Sequence, residues 1–196
     1  MAYTDNFSGS NGDTLPTYSG NWSNIGDSDM EIQSNQASPS AGGACSDMYN
    51  AGTFAAAHYA QAKIVSGDYV GPAIRMASTS NFFYCFASTA SNSFPGESIA
   101  GSLTDWDSGQ ATLNANDVAR LEADPVTPTT IYYKVNVSTI QTYTGKNALS
   151  GGKAGVAAYG SGSGVLDDWE AGDVAVASAS LLVNDRQRRF QNLIVR

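Results

Sequence analysis

Charge is scarce in this sequence. Only 14% of its 196 residues are charged, against about 25% in an average soluble domain. Basic residues are fewer than acidic ones, 10 against 18, for a net charge of −8. That balance excludes a nucleic-acid surface, which needs clustered lysine and arginine. It also excludes a helical bundle or coiled coil, which draws on Ala, Glu, Lys, Leu and Arg. A single histidine, His58, and two distant cysteines, Cys45 and Cys85, exclude the usual structural zinc patterns. Two cysteines make no disulfide framework, so two buried thiols are expected. No apolar run approaches the roughly 18–20 residues that cross a bilayer, and membrane insertion is not expected. The opening Met1-Ala2-Tyr3-Thr4-Asp5-Asn6 has neither the basic nor the apolar stretch of a secretory signal. Synthesis in the cytoplasm without a signal peptide is therefore expected. There is no nucleophile elbow, and Gly152-Lys153 is followed by Ala154, which rules out a phosphate-cradling loop.

Alternation is what the chain has in quantity. In 130–137, Ile131, Tyr133, Val135 and Val137 share one face, while Tyr132, Lys134 and Asn136 share the other. A period of two marks a half-buried strand. Similar runs occupy 30–33, 58–65, 69–76, 82–88, 155–159 and 165–170, and 117–123 is also read as a strand. Between them lie Gly, Ser, Asn, Asp and Pro clusters at 38–43, 90–96, 151–152 and 160–164. Many short strands at this spacing predict an all-β sandwich or barrel.

The charge is unevenly placed. Residues 185–196 hold four arginines against one aspartate, a net of +3, and the other 184 residues carry −11. This predicts an acidic domain over 1–175 and a basic, apolar-tipped arm over 176–196. Arg186, Arg188, Arg189 and Phe190 are the expected docking residues of that arm on a neighbouring subunit.

Several short motifs resemble concanavalin A-like lectin/glucanase domains of the laminin-G-like kind. Asp5-Asn6-Phe7, Trp22 and Glu31-Ile32-Gln33-Ser34-Asn35 resemble that family's opening. Asp117-Val118-Ala119-Arg120-Leu121-Glu122-Ala123 and Val135-Asn136-Val137 resemble the strands around its exposed hairpin. Gly151-Gly152-Lys153-Ala154-Gly155-Val156-Ala157-Ala158-Tyr159-Gly160 and Leu166-Asp167-Asp168-Trp169-Glu170 resemble its closing strands. The resemblance covers about residues 3–174. It implies a two-sheet antiparallel jelly-roll sandwich with adjacent first and last strands. The chain departs from the family at Asp124-Pro125-Val126-Thr127-Pro128, which replaces a tight turn, and in its tail.

Carbohydrate-binding jelly rolls bind on a concave sheet or on rim loops, where sugar faces stack on aromatic rings. Trp106, flanked by Asp105 and Asp107 in a loop-like stretch, is the first candidate. Arg75, alternating with Ala73 and Ala77, and Tyr84, on the strand expected beside it, complete a candidate glycan site. Trp22 and Trp169 read as core. Calcium suits such a fold through carboxylates near the termini, and Asp5, Asp167 and Asp168 are the candidate ligands. Asp27, Asp29 and Glu31 would align three acids if their segment were a strand, the arrangement a glycosidase needs, although Gly26-Asp27-Ser28-Asp29 also reads as a turn. His58, Arg75 and Tyr84 supply part of a polysaccharide lyase set, without its surrounding motif.

No catalytic constellation is complete. The expectation is a non-catalytic, lectin-like surface protein of a particle, a phage virion decoration or tail-associated subunit that binds cell-surface or environmental polysaccharide. It would be a homo-oligomer, located on the virion surface after assembly, with partners held through the arm. A glycan-cleaving enzyme on the same fold is the alternative, and an architectural oligomeric subunit without ligand is the third reading.

Overall fold

Strand 58–66 shows how the alternation becomes a wall. His58, Ala60, Ala62 and Ile64 are buried, while Tyr59, Gln61, Lys63 and Val65 are partly exposed. One side therefore packs inward and the other meets water, as an antiparallel sheet with a single buried face requires. The computed structural model describes residues 1–40, 44–78, 80–160 and 163–176. Its elements, in chain order, are β1 (Ala2–Asp5), α1 (Leu15–Tyr18), β2 (Trp22–Asn24), β3 (Met30–Gln33), β4 (Gln36–Pro39), β5 (Ala44–Tyr49), β6 (His58–Ser66), β7 (Val70–Ser78), β8 (Asn81–Phe86), β9 (Phe94–Ile99), β10 (Ser102–Asp105), β11 (Asp117–Ala123), β12 (Ile131–Val135), β13 (Ser138–Tyr143), β14 (Lys153–Tyr159) and β15 (Val165–Asp173).

They form two sheets. One has eight strands, ordered β13-β12-β11-β6-β15-β4-β3, with β1 also paired to β15. The other has seven, ordered β10-β9-β8-β7-β14-β5-β2. The chain passes repeatedly between the sheets, at β4–β5, β5–β6 and β6–β7 among other places, and the named strands pair antiparallel throughout. This is the sandwich expected from the sequence, and the first and last described strands are neighbours, with Asp5 opposite Trp169.

The core between the sheets centres on Trp22, Tyr49 and Trp169. Trp22 and Trp169 meet edge to face at 4.9 Å, and Tyr49 lies within 5.2 Å of both ring centroids. Burying such rings requires their N–H groups to be satisfied. Trp22 Nε1 donates to Asp5 Oδ2 at 2.8 Å and Trp169 Nε1 to the Gly155 carbonyl at 3.0 Å. Cys45 and Cys85 are both buried, and no disulfide joins them.

Three expectations need correction here. The strand read through Val137 stops at Val135. Asn136 and Val137 have φ of 48° and 68° and form the two-residue turn into β13, the geometry of a tight hairpin. Asn136 tolerates this conformation and ties it down, its Oδ1 accepting the Val118 N–H at 2.8 Å. Val137 is consequently 90% exposed instead of sharing the buried face.

The stretches 38–43 and 90–96, read as loops, contain the end of β4 and the start of β9. The segment 103–109, read as loop-like, begins inside β10. These strands carry Ser, Gly, Asp and Pro, so pairing to neighbours rather than local apolar alternation makes them strands. Residues 177–196, and with them Arg186, Arg188, Arg189 and Phe190, lie outside the described residues.

Candidate functional site

The two outer faces of the sandwich are chemically opposite. On the eight-stranded sheet the outer side chains are charged and mutually satisfied. Glu122 bridges Arg120 at 2.6 Å and Lys134 at 2.8 Å. Lys63 holds Asp167 at 3.1 Å and Asp168 at 2.5 Å, and the Arg120 guanidinium lies 3.5 Å above the Tyr59 ring centre. The outer face of the seven-stranded sheet instead carries a second hydrophobic cluster, distinct from the core. It comprises Ile25, Ala73, Met76, Phe82, Tyr84, Phe86 and Ala157, with Met48, Tyr69, Phe94 and Leu103 packed against it.

Strand β8 explains the difference. In Asn81-Phe82-Phe83-Tyr84-Cys85-Phe86, Phe83 and Cys85 point into the core, and Phe82, Tyr84 and Phe86 point outward. Tyr84 stacks on Phe86 at 4.1 Å with the rings 21° apart, and Phe86 stacks on Tyr159 at 5.8 Å. Tyr69 and Phe94 flank this row, 6.0 Å apart. Tyr159 is 49% exposed.

Register places a polar group at one end. Tyr84 of β8 lies opposite Gly96 of β9, and Gly96 lies opposite Asp105 of β10. A Cβ at position 96 would sit 2.5 Å from the Tyr84 hydroxyl. Glycine there lets the phenol cross β9 and donate to Asp105 Oδ1 at 2.9 Å. Burial and the adjacent carboxylate push the Tyr84 hydroxyl's pKa upward, so it stays a protonated donor. Asp105 itself is exposed. These residues line an open groove of about 350 Å³. A second depression of about 630 Å³ adjoins it at Leu103 and Tyr159 and is lined by Phe82, Ser46, Ser98, Ser102, Gly26 and Asp27. Together they make a continuous surface of aromatic faces, hydroxyls and one carboxylate in each part.

Of the three glycan-site candidates named from sequence, only Tyr84 is part of this groove. Arg75 is turned the other way. Its φ is 55°, at an irregularity in β7 where pairing to both neighbours shifts register. The alternation with Ala73 and Ala77 is broken there, and Arg75 is 1% exposed. Its guanidinium donates to the carbonyls of Leu149 (2.5 Å), Lys146 (3.3 Å), Ala56 (3.3 Å) and Pro128. It therefore clamps three inter-strand loops, including the inserted segment that ends at Pro128, and clears no groove.

Trp106, the first glycan candidate, also faces inward and packs against the core. Its ring lies 5.2 Å from Phe83 and 4.8 Å from Tyr143 of the opposite sheet, with Lys146 Nζ 4.7 Å from its centre. It closes one end of the sandwich. The flanking Asp107 accepts from Tyr143, Gln110 and the Gly109 N–H.

Of the candidate calcium ligands, Asp5 and Asp168 line one depression at the β1–β15 edge, but all three carboxylates are already engaged. Asp5 is occupied by the Phe7 N–H, Tyr18 and Trp22, while Asp167 and Asp168 hold Lys63. Among the described residues no group of three or more His, Cys, Asp or Glu is arranged for a metal ion. Asp27, Asp29 and Glu31 do not share a strand face either, since β3 begins only at Met30. His58 and Arg75 lie on the inner side of their strands and Tyr84 on the outer side, so the three do not form a lyase set.

One buried acid escaped the sequence reading. Asp47 of β5 is fully buried, accepts the Met30 N–H at 2.6 Å through Oδ2, and has no hydrogen-bond partner at Oδ1 among the described residues. Burial pushes its pKa up to about 7, with nearby Asp29 adding to the shift.

No protein-family model matches this chain, and no curated protein matches its sequence. Solved structures do. The chain is similar to the carbohydrate binding module CBM66 from Bacillus subtilis, with a TM-score of 0.62 and 10% identity over 76% of this chain and 94% of that one. It is also similar to a protein of unknown function from Shewanella oneidensis MR-1, with a TM-score of 0.53 and 11% identity over 92% and 90%. At such identities the likeness is one of fold.

Proposed function

We propose that this protein is a non-catalytic glycan-binding jelly roll whose ligand lies along the outer face of the seven-stranded sheet. One observation carries the reading: Tyr84, Phe86 and Tyr159 form a stacked row that ends in a half-exposed ring, beside serine hydroxyls and an oriented carboxylate. Sugars present apolar C–H faces and a rim of hydroxyls, and this surface offers a partner to each. The fold shared with a carbohydrate binding module supports it. A glycosidase needs two carboxylates flanking one bond, whereas Asp105 and Asp27 line different parts of the groove.

Titration of the protein against a panel of soluble polysaccharides tests the assignment. Tyr159→Ala should weaken binding by about tenfold or more, as loss of an aromatic anchor does, with an unchanged melting temperature. Equal affinity of the variant, or no binder in the panel, would overturn it.

The uneven charge of the sequence, −11 outside the tail and +3 within it, favours display of this domain on a larger particle such as a virion, docked through the basic arm. A chain truncated after residue 175 should then keep glycan binding and lose assembly. Unchanged assembly would refute the docking role.

A further inference from the structure

Outside the basic tail the chain has six cationic side chains, Lys63, Arg75, Arg120, Lys134, Lys146 and Lys153. Each is engaged away from the groove. Lys63 pairs with Asp167 and Asp168, and Arg120 and Lys134 with Glu122, all on the opposite outer face. Arg75 is buried on loop carbonyls, Lys146 covers Trp106, and Lys153 donates to the Asn50 carbonyl. The one histidine, His58, is buried in the core side of β6. Among the described residues, those lining both parts of the groove include no cation, and they include two carboxylates, Asp105 and Asp27.

We infer that the groove selects glycans without anionic groups and rejects uronate-bearing and sulfated chains. This deepens the glycan-binding reading and rests on it. An anionic sugar entering the groove would give up water around its charge and meet no counter-ion among the described residues in return. It would also face Asp105, whose position is set by the Tyr84 hydroxyl rather than left to swing away. Like charges set against each other act chiefly on specificity. An uncharged sugar loses nothing of the kind. Its hydroxyls donate to the Asp105 carboxylate and exchange hydrogen bonds with serine hydroxyls, while its ring face covers Tyr159. An amine-bearing sugar meets the same surface with a favourable charge.

The test uses four probes on the full chain: a neutral β-glucan, chitosan oligosaccharides, polygalacturonate and a sulfated galactan. Affinities are measured by calorimetry at low and moderate ionic strength, with the wild type beside Asp105→Asn. The asparagine keeps a carbonyl acceptor for Tyr84 and removes the charge. The expected result is binding of a neutral or amine-bearing probe, with both anionic probes at least about tenfold weaker. Asp105→Asn should narrow that gap at low salt, which repulsion from the acidic body as a whole would not do. Anionic probes that bind as tightly as the best neutral one would overturn the selectivity and leave glycan binding standing. A gap unmoved by Asp105→Asn would also overturn it, by assigning rejection to the whole acidic surface. Failure of all four probes together with a wider panel would remove the glycan site itself.

Discussion

The backbone N–H of Arg75 donates to Nε2 of His58 at 3.1 Å, and Nδ1 of the same ring lies 2.7 Å from the Ala55 carbonyl. The two contacts define one tautomer, with the proton on Nδ1 and Nε2 as acceptor. The imidazole is neutral, and its pKa is lowered first by burial and also by the Arg75 charge. In the unfolded chain His58 would take a proton near its ordinary value of about 6.5. Its contribution to stability is therefore complete above that pH and is lost as the pH falls below it. His58→Gln should flatten this part of the profile and lower its plateau. Urea unfolding from pH 5 to pH 8 checks it, and parallel profiles for the two proteins would refute it.

Asp47 works in the opposite direction. Its folded pKa of about 7 stands above the ordinary aspartate value of 3.8, so the folded state holds a proton that the unfolded state has released. Stability from this group is present below about pH 4 and is lost as the pH rises toward 7. The ceiling is on the order of 4 kcal/mol, since each pKa unit is worth about 1.4 kcal/mol. Asp47→Asn keeps an acceptor for the Met30 N–H without the charge. It should be more stable than wild type at pH 8, by about 1–3 kcal/mol after the cost of an added amide donor. Near pH 4 the difference should vanish or reverse. A pH-independent difference between the two would refute the assignment.

Arg75→Met should destabilise the fold by several kcal/mol, on the order of 3, because it abandons loop carbonyls that a charged donor now satisfies. Arg75→Lys should recover only part, since an ammonium cannot reproduce the guanidinium fork. Equilibrium unfolding measures both. Glycan affinity of the folded variants should be unchanged, and a variant that stays stable but stops binding would return Arg75 to the ligand site.

Trp106→Ala and Tyr84→Phe separate the inner side of the seven-stranded sheet from its outer face. The first removes a ring packed between Phe83 and Tyr143 and should cost about 3 kcal/mol in stability, with little effect on binding. The second keeps the stack on Phe86 and removes the donor to Asp105. It should weaken glycan binding severalfold for a loss of about 1 kcal/mol in stability. The reverse pattern would make Trp106 the sugar platform. Calorimetric titration and thermal melting on the same samples read both effects.

Strands such as β3 and β11 were legible to the residue, because their inward and outward positions alternate locally. Strand β5 was not, since it buries Asp47 and Ser46 among its apolar residues. The groove carried a signal that went unused: Phe82 to Phe86 is apolar on both faces of one strand. A strand with one side in the core needs a reason to be greasy on the other, and an outward binding face is such a reason. Tyr69, Phe94 and Tyr159 carried no comparable mark, as only strand pairing gathers them.

By itself the sequence determined the class of fold, the acidic body and the scarcity of cations that underlies the proposed selectivity. Alternation and composition are properties of neighbouring residues and of totals, so they are readable without coordinates. Tertiary structure decided which way each special side chain points. Arg75 turns inward because β7 shifts register at a residue with positive φ. Trp106 is covered because Tyr143, 37 residues later in the chain, lies across from it. Tyr84 reaches Asp105 because three strands align a glycine between them. Each outcome depends on long-range pairing, which local pattern does not encode.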